Sequence, residues 1–209
     1  MTVVPLFLSD PPGGHDASHR VMSPGGYEFW QLSAADRAQM RFTVGFFEGH
    51  PSNALYLQMY RRYRRRPTVH TPPLPRAFPI VEIELVWGAS ASFGDFVRLP
   101  PRGLAASDQR LEIVAGPHSL RRNPDRSLHL HVATARCLAD LLFRPLPSAA
   151  SAAPPEVVRE NGEYIFRSDP KCEVSGKIEL GTPGSRKIRV IEFLGAGSHE
   201  HRWRTHRDE

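Results

Sequence analysis

Short segments in which apolar and polar residues alternate predict an all-β chain, an antiparallel barrel or bent sandwich of about ten strands. Three observations carry that expectation. Segments such as Ile80 to Trp87, with Val81, Ile83, Leu85 and Trp87 on one face and Glu82 and Glu84 on the other, show the period of two that a pleated strand imposes. The segments recur at about ten-residue spacing, the rhythm of sandwiches and barrels. Finally, 20 Pro and 16 Gly among 209 residues supply many turns and leave little room for long helices.

Residues 1 to 24, rich in turn formers such as Pro11-Pro12-Gly13-Gly14, read as a flexible leader, and order is expected from Tyr27. Tyr27 to Leu32 and Met40 to Phe47 read as two antiparallel strands. Gly49-His50-Pro51 breaks the second, and Ala54 to Tyr63 reads as a short helix that Pro67 ends. Ile80 to Trp87 and Ser92 to Leu99 form a hairpin signal. Strands are then expected at Leu111 to Ala115, His118 to Arg121, Leu128 to Thr134, Cys137 to Arg144, Glu163 to Arg167, Cys172 to Leu180 and Lys187 to Leu194. Between them, Ser148 to Pro155 is low-complexity and reads as a surface loop. Residues 25 to 209 thus suit one β-domain.

The net charge of +5 comes largely from Arg clusters, above all Arg61, Arg62, Arg64, Arg65 and Arg66 with Tyr60 and Tyr63 between them. Such a cluster suits a solvated loop better than a nucleic-acid grip, because it is single and flanked by proline turns; contact with anionic lipid headgroups is a further option. No nucleic-acid partner is expected. Two cysteines, Cys137 and Cys172, lack a Cys-x-x-Cys spacing and read as reduced, buried thiols. No segment approaches the roughly 20 apolar residues of a membrane-spanning helix, and Val3 to Leu8 lacks the flanks of a signal peptide. The expected location is the cytoplasm, with at most peripheral membrane contact.

Chemistry concentrates between Gly197 and Glu209. His199, Glu200, His201, Trp203 and His206 fall within eight positions, and on a strand His199, His201 and Trp203 share one face while Glu200 and Arg202 take the other. Two imidazoles and an indole would then point into one cavity. A frayed, solvated tail is the plain alternative. A zinc site from His199, His201 and His206 lacks the spacing of a helical His pair, so neither metal nor cofactor is expected.

The order of landmarks resembles a known family. Gly-Gly-Tyr-Glu-Phe-Trp at 25 to 30, Phe-Phe-Glu-Gly-His-Pro at 46 to 51, Ser119-Leu120-Arg121-Arg122 before Leu128-His129-Leu130, Leu142-Phe143-Arg144-Pro145, Val174-Ser175-Gly176 and Gly-Ser-His-Glu-His-Arg-Trp at 197 to 203 occur in register. Together they are similar to the carotenoid 1,2-hydratase (hydroxyneurosporene synthase) family, whose lipocalin-like β-domains are shared with related AttH-type proteins and pericyclic cyclases. In the family's version of the final motif, usually Gly-Tyr-His-Asp-His-Asn-Trp-Gly, the positions of His199, His201 and Trp203 match, whereas those of Ser198, Glu200, Arg202 and Arg204 depart. In its opening motif Glu28 and Trp30 match, while Phe29, Gln31, Leu32 and Ser33 differ.

The resemblance implies a lipocalin-like fold, a long apolar isoprenoid ligand and a hydro-lyase or cyclase activity. It makes His201 and Trp203 the catalytic candidates and Glu28, Trp30 and His199 the ligand-binding ones. The family's further Tyr and Asp belong to a second β-domain that does not follow Trp203 here, so a separate second β-domain polypeptide is a possible partner. Hydrating a trisubstituted double bond takes an acid to protonate carbon, a face that tolerates a tertiary cation, and a base for water. Trp203 suits the second role and His201 the third, with Glu28 or Glu200 as substitute acids. Two alternatives stand beside this one: a non-catalytic lipocalin-type domain that binds a hydrophobic small molecule, and a hydrogen-bonded plug of Glu28, Trp30, His199, His201 and Trp203 that holds the barrel end.

Overall fold

The computed structural model describes residues 14–88, 91–146, 157–181 and 188–205. Among them run twelve strands and one α-helix: β1 (Tyr27–Asp36), β2 (Arg41–Glu48), α1 (Ala54–Arg65), β3 (Pro79–Trp87), β4 (Ala91–Arg98), β5 (Leu104–Ala106), β6 (Glu112–Ala115), β7 (His118–Arg122), β8 (Leu128–Ala133), β9 (Cys137–Pro145), β10 (Val157–Glu160), β11 (Glu163–Gly181) and β12 (Ile188–Arg204). All pair antiparallel in one sheet, ordered β4-β3-β2-β1-β12-β11-β9-β8-β7-β6-β5, with β10 added to β11. The sheet curls into a half-barrel of the lipocalin-like, all-β kind.

Alternation decides which side chains face the concave side. In β8, Leu128, Leu130 and Val132 are buried while His129 and His131 face outward, where both contact Asp140 of β9 at 2.8 and 3.1 Å. The same rule puts Trp30, Leu32, Phe42, Val44, Phe46, Ile83, Leu85, Leu141, Phe143 and Val174 into one packed core. Cys137 and Cys172 are free and buried in it. Burial pushes both thiols up to about 12, so they stay protonated.

Two expected pairs of strands are each one long strand. Glu163 to Arg167 and Cys172 to Leu180 are halves of β11, joined through irregularities between Phe166 and Cys172. Pro170 lies there and has no N–H to give to a ladder. The segment from Lys187 likewise continues without a break into the motif at 197 to 203 as β12. β5 and β10 have no expected counterpart; they are three and four residues long and are formed by pairing to their neighbours. The helix α1 runs two residues beyond expectation. Asn53 caps it by accepting from the N–H groups of Leu55 and Tyr56, and Tyr56 and Tyr60 dock it, the Tyr56 hydroxyl donating to Gly26 O at 2.6 Å.

The leader is the main departure. The expected loop at 148 to 155 and residues 1 to 13 lie outside the described residues, but residues 14 to 24 do not behave as a flexible tether. Ala17, Ser18 and Val21 are buried. Ser18 N–H donates to Ser107 O at 2.8 Å and Arg20 pairs with Asp108 at 2.6 Å, so the segment spans the mouth of the half-barrel to the loop after β5. Composition alone suggested disorder because the anchors are tertiary.

Gly176 lets β11 bend: its φ is +147°, and a Cβ there would lie 2.1 Å from Asp140 O. Gly176→Ala is expected to lower the unfolding free energy by about 2–4 kcal/mol, read from urea melts.

Candidate functional site

Strand register assembles the site. In β1 and β12, Glu28 lies opposite Trp203, Trp30 opposite His201, and Leu32 opposite His199. These residues share the concave face near the mouth, and all five candidates, Glu28, Trp30, His199, His201 and Trp203, are buried. His206 lies outside the described residues.

Four of the five form one cluster. His201 Nε2 lies 3.1 Å from Glu28 Oε1, and neither side chain is exposed. Its Nδ1–H donates to the carbonyl of His15 at 2.5 Å, which fixes a proton on that nitrogen. Glu28 also accepts from His19 N–H at 2.6 Å and from the Ser18 hydroxyl at 3.2 Å. Trp30 stacks on the His201 ring at 4.6 Å and donates its indole N–H to Asp16 O at 3.0 Å. Trp203 stacks against His19 at 3.7 Å and Tyr164 at 5.5 Å, and lies 5.0 Å from His201. The partners of this cluster come largely from residues 15 to 19.

His199, the fifth, belongs to a separate network. Its Nδ1 lies 2.9 Å from Ser168 Oγ, and Ser168 donates to Asp169 at 2.7 Å. Arg122 Nη2 donates to Asp16 and to Asp169, each at 2.6 Å. Burial alone would raise the Asp169 carboxyl, but the hydrogen bond and charge of Arg122 outweigh it and hold Asp169 below the usual carboxylate range. Burial also lowers His199, keeping the imidazole neutral. Asp16, Asp169 and His199 bring potential metal-ligand atoms within 4.8 Å of one another. The guanidinium already supplies the positive charge that both carboxylates need, so the chemistry there is that of an arginine-bridged carboxylate pair.

Glu48 is the residue that motif reading passes over, although it lies in Phe46-Phe47-Glu48-Gly49-His50-Pro51. It sits opposite Glu28 across β1 and β2. Burial first, and the charge of Glu28 second, push its carboxyl up to about 7 against a smaller pull from Arg76. The row Glu48, Glu28, Trp203, Tyr164 therefore places a proton-holding carboxyl beside the Glu28–His201 pair. Glu200, the other substitute acid, faces outward, pairing with Arg167 at 2.7 Å and with Arg202.

Protein-family models and curated protein sequences give no match to this chain. Solved structures do. A crystal structure provisionally assigned as AttH from Nitrosomonas europaea superposes with a TM-score of 0.64 at 14% identity, covering 100% of this chain and 59% of that one. CghA with Sch210972 gives 0.55 at 14% identity, and a further crystal structure of CghA 0.52 at 15%, each covering 88% of this chain and 47% of the other. The chain thus spans about half to three-fifths of the length of these proteins. At such identities the likeness is one of fold, lipocalin-like and all-β.

Two outcomes test the electrostatics. Arg122→Met leaves two carboxylates unpaired at the mouth and is expected to cost about 3–5 kcal/mol at neutral pH, with Asp16→Asn plus Asp169→Asn in the same background restoring most of it. For Glu48 the unfolded chain ionises above its ordinary 4.5 while the folded one holds its proton to about 7. The unfolded state then binds fewer protons, so stability falls as pH rises between those values, by roughly 3 kcal/mol in all. Urea melts of Glu48→Gln are expected to lack that slope and to show a variant more stable than the parent at pH 8.

Proposed function

We propose that this chain is a carotenoid 1,2-hydratase-like domain that receives the end of a long apolar isoprenoid ligand at the mouth of its half-barrel. The observation that carries the reading is the buried Glu28–His201 pair, bracketed by the indoles of Trp30 and Trp203. A carboxylic acid, a proton-relaying imidazole and a cation-tolerant π face are the three parts that adding water to an alkene requires.

In this reading a proton passes from the Glu28–His201 pair to one alkene carbon, leaving a tertiary cation against Trp203. Water adds to the cation and its surplus proton returns to His201, so the net change is the addition of one water. The proton taken up at His201 replaces the one that the pair gave to the alkene, so Glu28 and Glu48 end as they began. Residues 15 to 19 hold the mouth in the unliganded chain, and ligand entry requires that they swing away, releasing the His201 Nδ1–H and the Glu28 oxygens. A second β-domain polypeptide, consistent with the greater length of the similar structures, would wall the ligand on its far side.

A second reading is favoured by one specific observation: Glu28 and His201 are saturated by the chain's own Ser18, His19 and His15. The cluster then acts as a structural plug. The experiment mixes purified protein, and a variant lacking residues 1 to 20, with lycopene or neurosporene. Absorption shifts report binding and mass spectrometry reports a product heavier by one water. Turnover that drops about 10²–10⁴-fold in His201→Ala is the expected outcome. Binding without product replaces the hydratase by a non-catalytic carrier, and neither effect in either protein leaves the plug.

A further inference from the structure

A second cleft lies beside α1, and none of the Glu28–His201 cluster lines it. It encloses about 280 Å³ between α1, the 3₁₀ turn at Pro75–Ala77 and the turn after β4. Met59, Pro72, Leu74, Ala77, Phe78 and Pro101 make an apolar wall. Thr71, Pro73, Arg76 and Arg102 complete the lining, which contains no carboxylate. Among the described residues neither guanidinium has an ion-pair partner, although the charge of Arg76 reaches Glu48.

The backbone holds the two cations together. Arg102 N–H donates to Arg76 O at 3.1 Å, and Gly103 N–H closes a tight turn on Pro100 O at 2.7 Å. The third residue of that turn is Arg102 at φ 64°, a conformation that glycine or asparagine adopts more easily. An arginine is therefore held there at some conformational cost, with its charge over an apolar cleft. Arg62, three residues after Met59 on α1, shares that helix face and adds positive charge beside the cleft.

We propose that this cleft binds an amphiphile with an anionic phosphate-type head and an apolar tail, the head on Arg76 and Arg102 and the tail along Met59, Leu74 and Phe78. Unpaired guanidiniums fork onto phosphate oxygens, and the apolar wall shields a short length of tail. The site is independent of the hydratase reading. A free amphiphile and the headgroup of a bilayer lipid share this chemistry.

Calorimetry with dodecyl phosphate, kept monomeric, tests the head and tail together, with dodecanol as the uncharged control. Binding is expected to weaken about tenfold or more in Arg76→Gln/Arg102→Asn, with the salt dependence reduced. Asparagine tolerates the left-handed turn, so an unchanged melting curve shows that the fold is intact. Ala77→Trp, which fills the cleft, is expected to abolish binding while keeping both charges, and His201→Ala to leave it unchanged. Flotation with phosphatidylglycerol and phosphatidylcholine vesicles separates the sources. Loss of phosphatidylglycerol binding in the same variants places the head in a membrane, and monomer binding without flotation places it in solution. Dodecyl phosphate and phosphatidylglycerol vesicles that both bind parent and variants alike, or both fail to bind the parent, overturn the proposal.

Discussion

The antiparallel register of β1 against β12 is the constraint on which the rest depends. It joins the strand that opens the described sheet to the strand that closes it, and places both near the middle of the strand order. Side chains alternate along each strand, so a slip of one residue at this pairing would turn Glu28 and Trp30 to the face opposite His201 and Trp203. The core selects against that slip, because Leu32, Phe42, Val44 and Phe46 would lose their burial with the same shift. Hydrophobic packing over many residues thereby fixes the position of a few polar ones.

That fixed position makes the polar groups expensive to bury and forces them to find partners. Two networks result, and the leader serves both. His15, Ser18 and His19 complete the Glu28–His201 pair, while Asp16 joins Asp169 on Arg122. Each side of the mouth thus holds a charge that is costly without the segment crossing it. The consequence is a mouth that closes itself with main-chain carbonyls and short polar side chains. Their hydrogen bonds are individually modest, which suits a segment that must give way to a ligand.

Glu48 has a different place in this balance. It faces Glu28 across the strand pair, and burial first and the charge of Glu28 second raise its carboxyl to about 7, while Glu28 accepts hydrogen bonds from the leader.

The strands of the central sheet were legible because alternation is local: β2, β3, β8 and β9 lie within one or two residues of where their patterns put them. The shared face of His199, His201 and Trp203 was legible for the same reason, as was the burial of both cysteines. The continuity of β11 through Asp169 and Pro170 was not, since residues of low strand preference mark breaks unless a neighbouring strand holds them in line. Nor was the role of residues 14 to 24, whose turn-forming composition says nothing of the groups they meet. By itself the sequence determined the fold class and which side chains share a face, because both follow from a two-residue period. Only the tertiary structure decided that His201 meets Glu28, that His199 joins Ser168 and the carboxylates on Arg122 instead, and that Asp16 closes the mouth. The His201–Glu28 contact joins residues 173 positions apart, and distance along the chain carries no record of it.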